Sequence, residues 1–372
     1  MNSMFQNISK ITIAAALSFA MTLVLSSCGQ HSLEDWLGLN SSSGTETDNS
    51  SSSMEVNHIS SSSSNASNYD IAEEQKIDSI KNRYRSIQTN FTGGYFITAP
   101  TTTPSYTIGK VKNEVLQAGV DAINLIRYIA GIPADVVLDA GYTDLNQHGA
   151  VLLSANNQLT HSPSKPANMD QGFYDKGYKA AQSSNIATSN LPYTTVFQYM
   201  DDSDPGNIDA VGHRRWILNP PMKKTGFGVG ATRYGLMYSI DGSRNPEYDY
   251  DYVAWPSPGV FPANLFSNNI AWSISVNTQK YGSPDESKIE VILEHANSGK
   301  VWTFSNSTPV STATGSTYFN VEKNGYGIRN CIIFRPALES SFQYQNGDVF
   351  QVTISGLDKD LSYTVKMFTT GN

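Results

Sequence analysis

Two histidines in this chain stand where an imidazole could do chemistry. His213 lies in Gly212-His213-Arg214-Arg215-Trp216-Ile217-Leu218-Asn219-Pro220, which sets one titratable ring, two guanidinium groups and an indole side by side. Asn219-Pro220-Pro221 then stops any helix, because proline has no amide proton to give and clashes with the preceding turn. A surface helix has little use for a tryptophan and two aliphatics beside three polar groups, so the stretch reads as the wall of a pocket. His161 follows Leu159-Thr160 on a loop, beside Ser162-Pro163. Of the remaining histidines, His31 and His58 fall in a serine-rich segment, His148 in a helical pattern and His295 in a strand-rich region. Two imidazoles brought together hold a divalent metal or move protons near neutral pH. Spacing alone leaves open whether His161 and His213 meet.

The elements that must position them are legible as periodicities. Val115, Val120, Ile123, Ile126 and Ile129 form a helical stripe that ends at Gly131-Ile132-Pro133. Residues 139–156, 173–182 and 194–200 predict three more helices. Gly226-Phe227-Gly228-Val229-Gly230 and residues 234–240 predict strands, with glycines where backbone approaches something closely. Helices first and strands later is an α+β order, assigned to residues 110–263. From residue 264 to 372 the pattern changes to period two. Stretches such as Trp272-Ser273-Ile274-Ser275-Val276 and Val349-Phe350-Gln351-Val352, separated by Gly, Asn, Ser and Pro, predict a mostly antiparallel β-sandwich. Cys331, within an apolar strand, reads as a buried thiol. Ahead of these, residues 70–109 predict a helix capped by Asp70 and an extended connector through Thr101-Thr102-Thr103-Pro104.

Composition narrows the function. The 372 residues carry a net charge of -8, which argues against a nucleic-acid partner. Lys10 precedes an apolar run from Ile11 to Leu25, too short for a membrane span and suited to an export signal over residues 1–27. Leu25-Ser26-Ser27-Cys28 resembles a bacterial lipobox, which implies lipidation of Cys28 and a tether to the bacterial membrane. Gly29 resembles outer-membrane sorting, so the expected location is the cell envelope, at the outer membrane or cell surface. Residues 28–69, with serine runs at 41–43, 50–53 and 60–64, predict a disordered tether: so few apolar side chains cannot offset the entropy of ordering.

The order of motifs carries a resemblance. Asn124-Leu125-Ile126-Arg127, Gly131-Ile132-Pro133, His161-Ser162, Asn185-Ile186-Ala187 and Gly212-His213 follow one another across residues 111–240 as in the CAP family, or SCP-like extracellular domain. The resemblance implies an α-β-α sandwich and an exposed cavity lined by two histidines, here His161 and His213, and often by two acids. Where the family often has Glu before its Asn-Ile pair this chain has Ser184, and the second acid corresponds best to Asp202, with Asp201 the alternative. The implied cavity set is therefore His161, Ser184, Asp202, His213 and Arg214. Zinc or another divalent metal on His161, His213 and Asp202 would leave an open position, as catalytic sites do. Ser184 beside histidines admits a nucleophile reading, against the commoner turn or cap serine. Arg127 is expected to pair with an acid, and Arg214 or Arg215 with Asp201, Asp202 or Asp204. The favoured function is a binding module for a lipid, peptide or glycan. The alternatives are a metal-dependent hydrolase of peptide or cell-wall material and an inert adhesive scaffold.

Overall fold

The computed structural model describes residues 69–370. The export signal, Cys28, the serine-rich segment, His31 and His58 lie outside the described residues. The chain opens with helix α1, Ile71–Ser86. Asp70 accepts from the Glu73 amide and Glu73 reaches back to the Asp70 amide, so the capping box satisfies helix-end donors that would otherwise be bare. Ile77 and Ile80 are its buried face.

Strands β1 (Phe96–Thr98) and β2 (Lys110–Val111) form a two-stranded ribbon. Helix α2 (Asn113–Ile129) follows, then β3 (Val137–Leu138), α3 (Ala140–Asn156), α4 (Gln171–Gln182), β4 (Ser184–Ala187), α5 (Pro192–Asp201) and α6 (Gly212–Ile217). Strands β5 (Lys224–Thr225), β6 (Phe227–Val229) and β7 (Gly235–Tyr238) complete this part. The central sheet is antiparallel in the order β4-β7-β6. Helices α3 and α4 cover one face, and α5 with α2 covers the other, which is the expected α-β-α arrangement. Glycines mark the closest approaches between these layers. A Cβ on Gly119 of α2 would stand 2.6 Å from the Phe227 ring, and one on Gly149 of α3 would stand 2.6 Å from Leu236. Residues 226 and 228 run directly along the backbone of α3 at Thr143 and Asn146.

Strands β8 (Tyr252–Trp255), β9 (Gly259–Pro262) and β10 (Trp272–Val276) come next, then the short α7 (Thr278–Tyr281). Strands β11 (Glu290–His295), β12 (Lys300–Phe304), β13 (Tyr318–Glu322), β14 (Cys331–Arg335), β15 (Val349–Ser355) and β16 (Leu361–Phe368) end the chain. They form two sheets, β13-β14-β10-β8 and β12-β11-β15-β16-β9, antiparallel except for β9 beside β16. Rings pack across the gap: Trp272 to Phe350 at 5.5 Å and Phe304 to Phe334 at 5.2 Å between centroids. Strands β8 and β9 stood on the far side of the 263/264 boundary in the sequence reading. Their pairings place them in the sandwich sheets, as edge strands too short and Pro/Gly-flanked to show a period-two signal.

Burial separates the two sheets. In β15 buried residues alternate with half-exposed ones, so one side faces solvent. Every residue of β10 and β14 is buried. A strand buried on both sides needs a second cover, and here it is the α-β-α part of the chain: Ile208 and Val211 pack with Ala271, Tyr318, Cys331 and Ile333. Cys331 is 0% exposed, and burial pushes its thiol pKa up, as suits an inert core thiol. Helix α1 reaches the other sheet, where Glu73 pairs with Lys366 at 2.8 Å and the Tyr69 hydroxyl donates to the Met367 carbonyl.

Candidate functional site

His213 is the second residue of α6 and is held from three sides. Its Nδ1–H donates to Asp202 Oδ1 at 2.7 Å. The ring stacks on Tyr199, with centroids 5.2 Å apart and planes at 23°. The main-chain oxygen of His213 accepts from Asn185 Nδ2 at 3.0 Å. The side chain is 21% exposed while that of Asp202 is 2% exposed, so the imidazole is the part of the pair that solvent can reach. With Nδ1 committed, Nε2 is the nitrogen free to act.

Local conformation explains how these groups come together. Asp202 sits at the C-cap of α5 in the left-handed region, φ 44°, which turns its carboxylate back toward α6. Oδ2 takes the Arg214 amide at 3.0 Å, so the second oxygen of Asp202 satisfies a helix-end donor. Tyr199 lies one turn earlier on α5, and its hydroxyl donates to Asn185 O at 3.0 Å and Gly235 O at 3.4 Å. Burial, then the nearby Asp202 charge, holds its pKa well above the usual tyrosine value, so it stays a neutral donor.

The electrostatics of His213 are a contest. Burial pulls the imidazole pKa down. The Asp202 carboxylate, its hydrogen bond and the charge of Asp204 pull it up, and they win, so the pKa rises above its ordinary 6.5. Asp201 behaves differently: burial raises its pKa, opposed by hydrogen bonds from Ser203.

The other sequence candidates divide. His161 is exposed, and its Nδ1–H donates to Ala181 O at 2.6 Å, leaving Nε2 free. The carbonyl it holds and the Asn185 amide that holds His213 lie on one short stretch, residues 181–185. Their Cα atoms are therefore at most about 14 Å apart. Arg214 is 0% exposed, so it is corrected from a cavity residue to a buried one. Its guanidinium donates to Met200 O, Asp201 O, Ala271 O and Ser273 Oγ at 2.7 to 3.0 Å. Arg215 likewise donates to Ile328 O, Ala210 O and Asn324 O. Neither guanidinium takes a carboxylate as a hydrogen-bond partner. Arg127 was expected to meet an acid and instead binds the carbonyls of Pro133, Ile217 and Asn219 at 2.8 Å each.

Ser184 is also corrected. It is 5% exposed, and its hydroxyl donates to Asn146 Oδ1 at 2.8 Å, while Asn146 Nδ2 donates to Gly226 O. Successive side chains of a strand point to opposite faces, so Ser184 faces α3 while Asn185 faces α6. It therefore meets neither a base nor an open surface. Ser184→Ala is expected to cost about 1 kcal/mol of stability by leaving the Asn146 oxygen unpaired. The His213 titration midpoint, followed by NMR, should stay where it is in the wild type.

A metal fits this donor set poorly. Among the described residues no three His, Cys, Asp or Glu side chains gather as an ion would need. Both oxygens of Asp202 are spent, one on His213 and one on the Arg214 amide. His161, His213 and Asp202 thus do not form the three-ligand set. Tyr199, Asn185 and Asn146 were missed as site residues. Asn185 belonged to a recognised motif, but its partner is a main-chain oxygen that no side-chain pattern announces. Tyr199 is one aromatic among several on α5.

Residues 120–239 match the CAP family, described as the Cysteine-rich secretory protein family. A search of curated proteins and one of solved structures found none that matches the chain.

Proposed function

We propose that this protein, whose residues 120–239 are a CAP domain, is an exported binding module that takes its ligand at the imidazole of His213. The family is secretory by its description, and the apolar run from Ile11 to Leu25 before Cys28 supports export and lipid tethering to the envelope. Mass spectrometry of the mature N-terminus tests the tether: Cys28 should be the first residue and carry acyl chains.

The carrying observation is the His213–Asp202 pair. Asp202 fixes the ring and raises its pKa, so Nε2 presents either a proton or a lone pair near neutral pH. That suits recognition of an oxygen-bearing group on a lipid, peptide or glycan. His161, attached to the same stretch of chain, is the second imidazole of the reading. Hydrolysis draws less support, because Ser184 is occupied and the metal set does not assemble. A purely adhesive scaffold would not need a buried acid aimed at a half-exposed imidazole.

Thermal shift with lipid vesicles, wall-glycan fragments and short peptides tests this reading. One class should raise Tm by several degrees at ligand concentrations far above Kd. His213→Ala should abolish the shift in a protein that still folds, at a cost of about 1–3 kcal/mol because the buried Asp202 loses its imidazole partner. Turnover of a peptide or glycan without any such shift would sink the proposal, as would binding that survives His213→Ala.

A further inference from the structure

We propose that the C-terminal sandwich is a working part of the His213 site, with Arg214 the positioning residue through which its four-stranded sheet holds α6 and the His213–Asp202 pair in place. The inference concerns what sets the imidazole's geometry, and it stands whether the site binds a ligand or not.

Helix α6 has only six residues, too few to be stable by itself. Its entry is also strained: Val211 is β-branched yet sits at φ 41°, a conformation such residues rarely adopt. Strain of this kind costs about 1–3 kcal/mol and persists only where the surroundings enforce it. The enforcing contacts come from the sandwich. Val211 is 0% exposed and packs with Ala271, Tyr318, Cys331 and Ile333.

Two guanidinium groups then fasten the helix. Arg214 places Nη1 on Ala271 O at 2.7 Å and Ser273 Oγ at 3.0 Å, both in or beside β10. The same fork grips Met200 O and Asp201 O at the end of α5, at 2.9 and 2.7 Å, next to the residue that orients His213. One side chain thus ties the sandwich to the two peptide units that lead into Asp202. Arg215 donates to Ile328 O at 3.0 Å and to Asn324 O, and stands 5.3 Å from the Tyr326 ring. Loop 323–330 is thereby laid over α6. The fit is tight: Cβ atoms on Gly212 and Gly327 would stand 2.8 Å from Tyr326 and 2.7 Å from Trp216. A spacer domain would leave α6 free of such contacts.

Two substitutions in the full chain test this. Arg214→Lys keeps the charge but cannot reproduce the fork. Gly327→Ala adds a methyl against Trp216 and, at φ 75°, strains the loop without touching His213 or Asp202. The controlling variant is Phe304→Leu, which loosens the sandwich core away from α6. The readouts are the His213 titration by NMR and hydrogen exchange of amides 212–217. Both test variants should lower the midpoint toward 6.5 and speed exchange about tenfold or more. Phe304→Leu, compared at equal distance below Tm, should do neither. Wild-type midpoints in folded Gly327→Ala would overturn the proposal, as would an equal shift in Phe304→Leu. Should Arg214→Lys fail to fold, Gly327→Ala decides alone.

Discussion

Gly228→Ala is expected to cost about 4 kcal/mol, or to prevent accumulation of folded protein altogether. The added Cβ would lie inside the van der Waals shell of the Asn146 carbonyl and only 3.2 Å from the Ala150 methyl. The obstacle is backbone in the middle of α3, not the end of a flexible side chain, so nothing can swing aside. Either β6 lifts off the helix or α3 bends. Both break neighbouring bonds, because Asn146 Nδ2 donates to Gly226 O at 3.0 Å and Gln147 clamps Val229 through bonds of 2.8 and 2.9 Å. Overpacking usually costs about 1–3 kcal/mol, and the loss of buried hydrogen bonds adds to that. Urea unfolding measures the effect. A loss under about 1 kcal/mol would mean that β6 does not run this close to α3.

The second large effect is electrostatic. Asp202→Asn should bring the His213 midpoint from above 6.5 to below it. With the carboxylate gone, the largest remaining influence is burial, and burial lowers an imidazole pKa. A swing of one unit corresponds to about 1.4 kcal/mol between the two protonation states. The sign of the stability effect follows. A group whose folded pKa is raised stabilises the fold in full below its unfolded value and loses that contribution as pH rises through the folded value. The stability gap between wild type and Asp202→Asn should therefore be wider near about pH 6 than near about pH 8.5. A residual gap of about 2 kcal/mol should persist at the higher pH, because the Arg214 amide loses a charged acceptor. Denaturant titrations at the two pH values check the trend, and equal gaps would show that Asp202 does not control His213. The prediction differs from that for Ser184→Ala, which leaves the imidazole untouched.

Much of the helical half was legible because it rests on local rules. Asp70 caps the helix that its sequence position implied, Asp139 and Asp170 cap α3 and α4 in the same way, and Asn157 ends α3 in the left-handed region. The described portion holds a single cysteine, Cys331, so it is packing and main-chain hydrogen bonds that hold it rather than disulfides. The glycines at 226 and 228 announced close approach, although not to what. The period-two strands from Trp272 onward announced a sandwich. Among the sandwich strands β8, β9 and β13 went unannounced, and so did the short β1 to β5 in the first half, being short or irregular in pattern.

The sequence by itself determined which side chains were available: two imidazoles on loop-like stretches, an acidic turn after α5, and three arginines with apolar neighbours. Local propensity and hydrophobic period reach about one helix turn or one strand along the chain, and those choices lie within that reach. The tertiary structure alone decided the partners. Arg127 found the carbonyls of Ile217 and Asn219 and not an acid, and Arg214 found Ala271 and Ser273. Ser184 turned away from His213 because its strand has two faces. Main-chain oxygens carry no sequence signal, since every residue has one. A buried guanidinium will take any carbonyl that the fold supplies at the right angle. For that reason the chemistry of this site was readable in the chain, while its wiring was fixed only when the two halves of the protein closed over α6.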